Sequence, residues 1–242
     1  TLITDTLTND FGTIAVSGDT NILGTVVNHD TIINSGQATL TFFDEVTHDG
    51  PEFRTSTGST TVFFGDVNGP GAFTGSGTVL FEANYSPGSS TAAVSLGGDL
   101  SLGVGATLEI ELGGVTPGTE HDQLNVAGTA DLHGELAVSF LGAFVPTPGE
   151  TYEILTYAAF TEQFDTISGA GLLNADAVLV PVYGPTSLTL VTAIPGDVNL
   201  DGVVNGLDAN AISINFNASG VEYQAGDANL DGVVDGLDAN LI

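Results

Sequence analysis

The chain contains no cysteine, no methionine and no tryptophan, and Arg54 is its only lysine or arginine. Each absence narrows the field. Without cysteine there are no disulfides, so stability has to come from burial, backbone pairing or bound metal. One cation cannot neutralise a run of phosphates, which excludes nucleic acid as a direct partner and disfavours anionic membrane surfaces. Sugar-stacking platforms are built on tryptophan or tyrosine, and here the counts are zero and five. No apolar run approaches the roughly 20 residues needed to cross a bilayer, so direct membrane insertion is not expected.

Negative charge and glycine are abundant. Thirty acidic residues give a net charge of −29 over 242 residues, with 33 glycines and a hydrophobic share of 42%. That share is too high for a disordered acidic tail, and the length suffices for one large domain or two modest ones. Carboxylate repulsion opposes compaction unless salt screens it or counter-ions bind. The expected location is therefore extracellular or at the cell surface, where divalent cations are plentiful. The chain starts at Thr1 without methionine or a basic leader, as expected of a mature product whose export signal has been removed.

From Thr1 to about Thr192 short β segments alternate with Gly, Asn, Asp, Ser and Pro. Thr13-Ile14-Ala15-Val16, Thr39-Leu40-Thr41-Phe42-Phe43 and Thr78-Val79-Leu80-Phe81 are examples, rich in residues that suit a half-buried strand. No helical stripe precedes residue 205, so this part is mainly β. Two architectures fit it. Closely spaced short strands suggest a β-solenoid, with Asn21, Asn28 and Asn34 marking corners of successive coils. Longer alternating strands near 107–112 and 135–140 suggest a β-sandwich. The division read from the pattern is a solenoid-like region at 1–85, a second β-rich region at 86–192, a linker at 193–195 and a distinct module at 196–242. The first boundary is placed at the turn-rich break Tyr85-Ser86-Pro87-Gly88-Ser89-Ser90.

Ser86-Pro87-Gly88, Gly97-Gly98-Asp99-Leu100, Asp122-Gln123-Leu124-Asn125-Val126-Ala127-Gly128 and Pro148-Gly149-Glu150-Thr151-Tyr152 form a glycine-punctuated block. Over about residues 86–160 it resembles the autotransporter-passenger type of β-helix repeat in bacterial surface proteins of the planctomycete kind. The resemblance implies a secreted scaffold.

The chemistry is concentrated after Pro195, where one unit occurs twice at a spacing of 30. The first copy runs from Asp197 to Asp208 and the second from Asp227 to Asp238. Both fit a twelve-residue calcium loop with oxygen donors at positions 1, 3, 5, 9 and 12 and glycine at 6. Calcium takes six to eight hard oxygens, and alternate residues of a curled loop turn their side chains to one centre. Val203 and Val233 occupy position 7, where only the backbone carbonyl serves. Val204 and Val234 at position 8 are expected to make a small β contact between the loops.

Position 12 is Asp in both copies. With the duplicated Asp-x-Asn-x-Asp-Gly opening, the segment resembles the dockerin module of bacterial extracellular assemblies. The resemblance implies two loop-plus-helix units without entering helices, two calcium ions and pseudo-twofold symmetry. It assigns Asp197, Asn199, Asp201, Asn205 and Asp208 to the first ion and Asp227, Asn229, Asp231, Asp235 and Asp238 to the second. Two departures count against ordinary cohesin docking. Gly206-Leu207 and Gly236-Leu237 stand where hydroxyl residues are usual, and the following helix, Ala209 to about Phe216, has no cation. The second helix has barely begun at Ile242, so the module is expected to be C-terminally incomplete.

Other constellations read as structural. Asp44, Glu45, His48, Asp49, Glu52 and Arg54 fall within eleven residues, and Glu120-His121-Asp122 form a second group; both read as solvated turns. His29 and His133 lack partners at metal-ligand spacing, and Asp66-Val67-Asn68-Gly69 reads as a hairpin turn. No catalytic or organic-cofactor residues are assigned. The expected function is a non-catalytic, secreted structural protein, with further copies of itself or another extracellular protein as partner. Its more specific form is a filament in which the N-terminal segment around Leu2-Ile3 and Leu7, with Phe11 to Val16, pairs with a neighbour's sheet edge. The alternative is a carbohydrate-active or carbohydrate-binding component docked through the C-terminal module.

Overall fold

Strand β1 (Leu2–Asn9) and strand β2 (Thr13–Val16) open a winding path that later repeats three strands at a time. The computed structural model describes residues 1–88 and 90–242; Ser89, within the turn-rich break predicted at 85–90, lies outside the described residues. The second coil is β3 (Thr20–Asn28) and β4 (Thr31–Asn34), with β3 long enough to serve two faces. The third is β5 (Thr39–Phe42), β6 (Val46–His48) and β7 (Glu52–Thr55). The fourth is β8 (Thr60–Phe63), β9 (Val67–Gly69) and β10 (Phe73–Thr74). Then come β11 (Thr78–Phe81), β12 (Asn84–Pro87) and β13 (Ala93–Leu96). Two larger coils follow: β14 (Asp99–Leu102), β15 (Thr107–Leu112) and β16 (Gln123–Val126), then β17 (Thr129–Asp131), β18 (Glu135–Phe140) and β19 (Thr151–Thr156). Strands β20 (Ala159–Thr161) and β21 (Thr166–Ser168) end the winding.

Each strand pairs in parallel with its counterpart one coil on, giving a three-sided β-solenoid. Two of its faces are joined through β3: Thr20 faces Leu40 at one end, and Val26 faces Val46 at the other. The strands that suggested a sandwich, β15 and β18, lie side by side in parallel register from Thr107–Glu135 to Leu112–Phe140, as successive coils. Pairing also runs across residues 84–87, where β12 joins β9 to β15. Strand β1 pairs with β3 and β2 pairs with β4, so the N-terminal segment expected to meet a neighbour's sheet edge forms the first coil of this chain. A parallel ladder buries every second side chain on the same residue type one coil away. Phe42, Phe63 and Phe81 stack at 5.1 and 5.2 Å, and Tyr85 closes on Phe81 at 4.3 Å.

Polar side chains also enter the core, and several are held in hydrogen-bond chains. Asn9 donates to Asn28 at 2.7 Å, and Asn28 donates to Nδ1 of His48 at 3.0 Å. That contact leaves the proton on Nε2, which donates to the Ala72 carbonyl at 3.1 Å. Burial pushes the His48 pKa down, in keeping with a neutral ring. His48 is therefore a stacked core residue and not part of a solvated turn, because strand alternation in β6 turns it inward. Gly71 makes room for the ring: a Cβ there would lie 2.5 Å from Nε2. Asn28 and Asn34 are both buried and fall at two corners of one coil, while Asn21 is exposed, so they do not mark successive coils. Asp66-Val67-Asn68-Gly69 is likewise no hairpin; residues 67–69 form β9, paired in parallel with β6.

After β21 the chain reverses. Strands β22 (Gly171–Asn174), β23 (Ala177–Tyr183) and β24 (Ser187–Ala193) add to β19 in antiparallel order. Leu179, Leu188 and Leu190 face the solenoid core. Val178, Val180 and Ala193 face the other way, into a second core shared with residues 198–234. That second unit contains helix α1 (Gly206–Ile214), a 3₁₀ turn at Tyr223–Ala225 and the short helix α2 (Gly236–Ala239). No helix among the described residues is long and apolar enough to cross a membrane.

Candidate metal centre

Each acidic loop leads into a helix, and one set of side chains shapes both. Asn205, at position 9, caps α1 by accepting from the Leu207 N–H at 2.9 Å, while Asp208 at position 12 returns to the Asn205 N–H at 2.8 Å. Asp235 and Asp238 repeat this at α2 with 2.6 and 2.7 Å. These reciprocal caps satisfy helix donors that would otherwise be orphaned. Position 1 organises the turn: Asp197 accepts from the N–H groups of Asp201 and Gly202, and Asp227 from those of Asp231 and Gly232. Position 12 also accepts from position 3, Asp208 from Asn199 and Asp238 from Asn229. Gly202 and Gly232 adopt φ of 87° and 88°, the left-handed turn that a side chain resists.

The two loops thus share one hydrogen-bond pattern, as their sequence repeat predicts. Loop pairing differs from expectation. Val234 donates to the carbonyl of Ala218 at 2.9 Å and accepts from Asn217 at 2.8 Å, so its β contact is with the segment after α1 and not with Val204. The chain returning from α1 fills that edge first.

Charge is the unusual feature. Asp197, Asp208, Asp227 and Asp238 are each at most 2% exposed. The chain has one arginine, Arg54, far away on β7, and no lysine to pair with them. A buried carboxylate without a counter-charge is costly, and several kcal/mol per group is the usual scale. Burial, and then the nearby Asp238 and Asp231 carboxylates, push the Asp227 pKa up against the pull of the Gly232 N–H. The donor set is hard oxygen throughout: carboxylates, Asn amides and a position-7 carbonyl. It fits calcium and offers no soft ligand for zinc or copper. Among the described residues, no three His, Cys, Asp or Glu side chains are gathered into a metal cage by themselves. The loop carboxylates are turned onto backbone N–H groups, and amide and carbonyl donors make up the rest of each set.

Outside the loops, the acidic groups and histidines of the solenoid are held by local contacts at several places. Asp122 is buried, contrary to its reading as part of a solvated turn, and accepts from the N–H of Ala92 at 2.7 Å and of Glu111 at 2.8 Å. Burial raises its pKa to about 7. His121 bonds the Gly114 carbonyl at 3.0 Å. Exposed His29 lies against Asp49, and His133 lies 3.8 Å from Asp131. Arg54 projects outward from β7, away from the inward-facing His48. Of the charged cluster at 44–54, only His48 turns into the core. His48 escapes sequence reading because a charge-rich window hides the strand alternation.

Comparison with known proteins supports the C-terminal assignment. No curated protein matches the chain. Residues 195–242 match the family model of the dockerin type I domain. Dockerin domains bind calcium, dock onto cohesin partners of multi-protein complexes and occur in extracellular proteins. The chain thus carries a dockerin type I domain behind a β-rich region.

Proposed function

We propose that the protein is a non-catalytic extracellular structural component, a β-solenoid scaffold joined to an assembly through its calcium-stabilised dockerin domain. The observation that carries this reading is the set of four buried carboxylates with no cationic side chain to answer them. Calcium would supply the missing charge and a hard coordination centre. Asp197, Asn199, Asp201, Asn205, Asp208 and the Val203 carbonyl would hold one ion. Asp227, Asn229, Asp231, Asp235, Asp238 and the Val233 carbonyl would hold a second. The partner is another extracellular protein or further copies of this chain, with a surface filament as the more specific form. Exposed Leu207 and Leu237 favour an apolar contact over the hydroxyl-rich docking face usual in the family.

One observation favours a carbohydrate-linked component docked through the same domain. Phe43 and Phe64 stack at 5.4 Å on the outside of the solenoid, where an aromatic strip could face a sugar ring. Electron microscopy of the purified protein, with calcium and after chelation, separates the two readings. Filaments that dissolve on chelation are expected. Monodisperse particles in both conditions would move the conclusion to the docked component.

A further inference from the structure

Side chains of the two loops alternate in what they face. Over the first nine positions the odd ones carry the oxygen donors, while the even ones are apolar or glycine. Position 2 is Val198 in the first loop and Ala228 in the second, and both are fully buried. Position 4 is Leu200 and Leu230, with φ of 60° and 58°, a left-handed geometry that non-glycine residues avoid. Both leucines pack on the second core, which also holds Val234 from position 8. The other wall of that core is Val178, Val180 and Ala193 from the solenoid's terminal sheet. The loop face turned away from the donors is therefore the face seated on the scaffold.

The sheet is shaped to receive it. Most strands in the solenoid alternate buried with half-buried residues, whereas Ala177, Val178, Leu179 and Val180 of β23 are buried in succession. Tyr223 reaches the Ile194 carbonyl at 3.4 Å, and Gln163 donates to Glu222 at 3.0 Å, so polar contacts also tie the two units together. Without the domain, Val178, Val180 and Val182 would form an exposed apolar strip on the outer face of the terminal sheet, the kind of patch that normally marks a contact surface.

We propose that the dockerin domain serves this chain as a calcium-controlled cap on the solenoid. Ion binding fixes each loop so that the face carrying positions 2 and 4 covers the outer side of β23 and β24, and ion loss lifts that cover. The same domain thereby links scaffold integrity to the calcium level outside the cell. This proposal rests on the calcium reading of the loops given above.

Hydrogen exchange on the full chain, with calcium and with excess chelator, tests it. Chelation should speed exchange roughly tenfold or more at residues 177–193 as well as 196–242, with β5 to β16 unchanged. Faster exchange confined to 196–242 would overturn the cap. A second arm uses Val180→Asp and the milder Val180→Ala with calcium present. Linkage requires that loosening the seat weakens calcium binding, by about tenfold for the aspartate and less for the alanine, in isothermal titration. Unchanged affinity in both variants would also overturn it. Absence of any calcium binding by the unmodified chain would sink the calcium reading itself, whereas tight binding with independent exchange of the two regions would sink only the cap.

Discussion

Truncating Phe63 to alanine should be the most damaging single change in the middle of the solenoid. The ring is fully buried and stacks on Phe42 at 5.1 Å and Phe81 at 5.2 Å, with Phe53 and Phe73 edge-on at 5.6 and 6.0 Å. Strand β8 is pinned on both sides, Phe63 facing Phe42 of β5 and Phe81 of β11. The surrounding rings therefore cannot close over the void. A buried Phe→Ala costs about 3–5 kcal/mol, and the loss of two stacked partners places this site near the upper end. Phe64→Ala is the internal control. Its ring is half-exposed and has one stacked partner, Phe43, so about 1 kcal/mol is expected. Urea denaturation followed by circular dichroism measures both. A one-residue slip in register would exchange the two roles. A cost below about 1.5 kcal/mol for Phe63→Ala, or a larger one for Phe64→Ala, would refute the inward and outward assignment.

Three further outcomes are expected. Calorimetry with and without chelator should show a lower transition without calcium, since free ion at a hundred times its dissociation constant stabilises by about 2.7 kcal/mol per site; superimposable curves would count against the metal centre. Gly69→Ala should cost about 3 kcal/mol or more in thermal melts, because φ is 117° and a Cβ would meet the His48 carbonyl oxygen at 2.2 Å. Gly202→Ala, with open space around it, should cost only about 1 kcal/mol. Asp122 provides the pH test. Its pKa rises from 3.8 to about 7 on folding, so the folded state holds the proton more tightly and this group's contribution falls as pH climbs through that window. Asp122→Asn should flatten the stability slope between those values, and an unchanged slope would remove Asp122 as its source.

The C-terminal loops were legible because calcium ligation is a local pattern: donors two residues apart around a glycine show in a window of twelve. Strand positions were legible for a similar reason, since alternation of Thr with Val, Ile or Phe marks one buried face. Alternation does not name the neighbour across the ladder, which is why 107–112 and 135–140 fitted a sandwich and a solenoid equally. Coil length obscured the repeat as well. Paired positions lie 21 apart at Thr39–Thr60, 18 apart at Thr60–Thr78 and 30 apart at Leu100–Ala130. His48 and Asp122 were misread because burial of a polar group depends on partners far along the chain, Asn28 and Ala92 among them. The seat of the dockerin domain was invisible for the same reason: Val178 and Val180 look like any strand residues until the second core is seen.

The larger coils grow at a single corner. Residues 70–72 suffice between β9 and β10, whereas 113–122 intervene between β15 and β16, and 141–150 between β18 and β19. The strands flanking these excursions stay in register, and Asp122 clamps the foot of the first one. Lengthening such a connection adds closure entropy only logarithmically. For an engineer, that edge of the prism is a ready grafting port, where an epitope, a tag or a small folded guest can be spliced in while the wall behind it keeps its indexing.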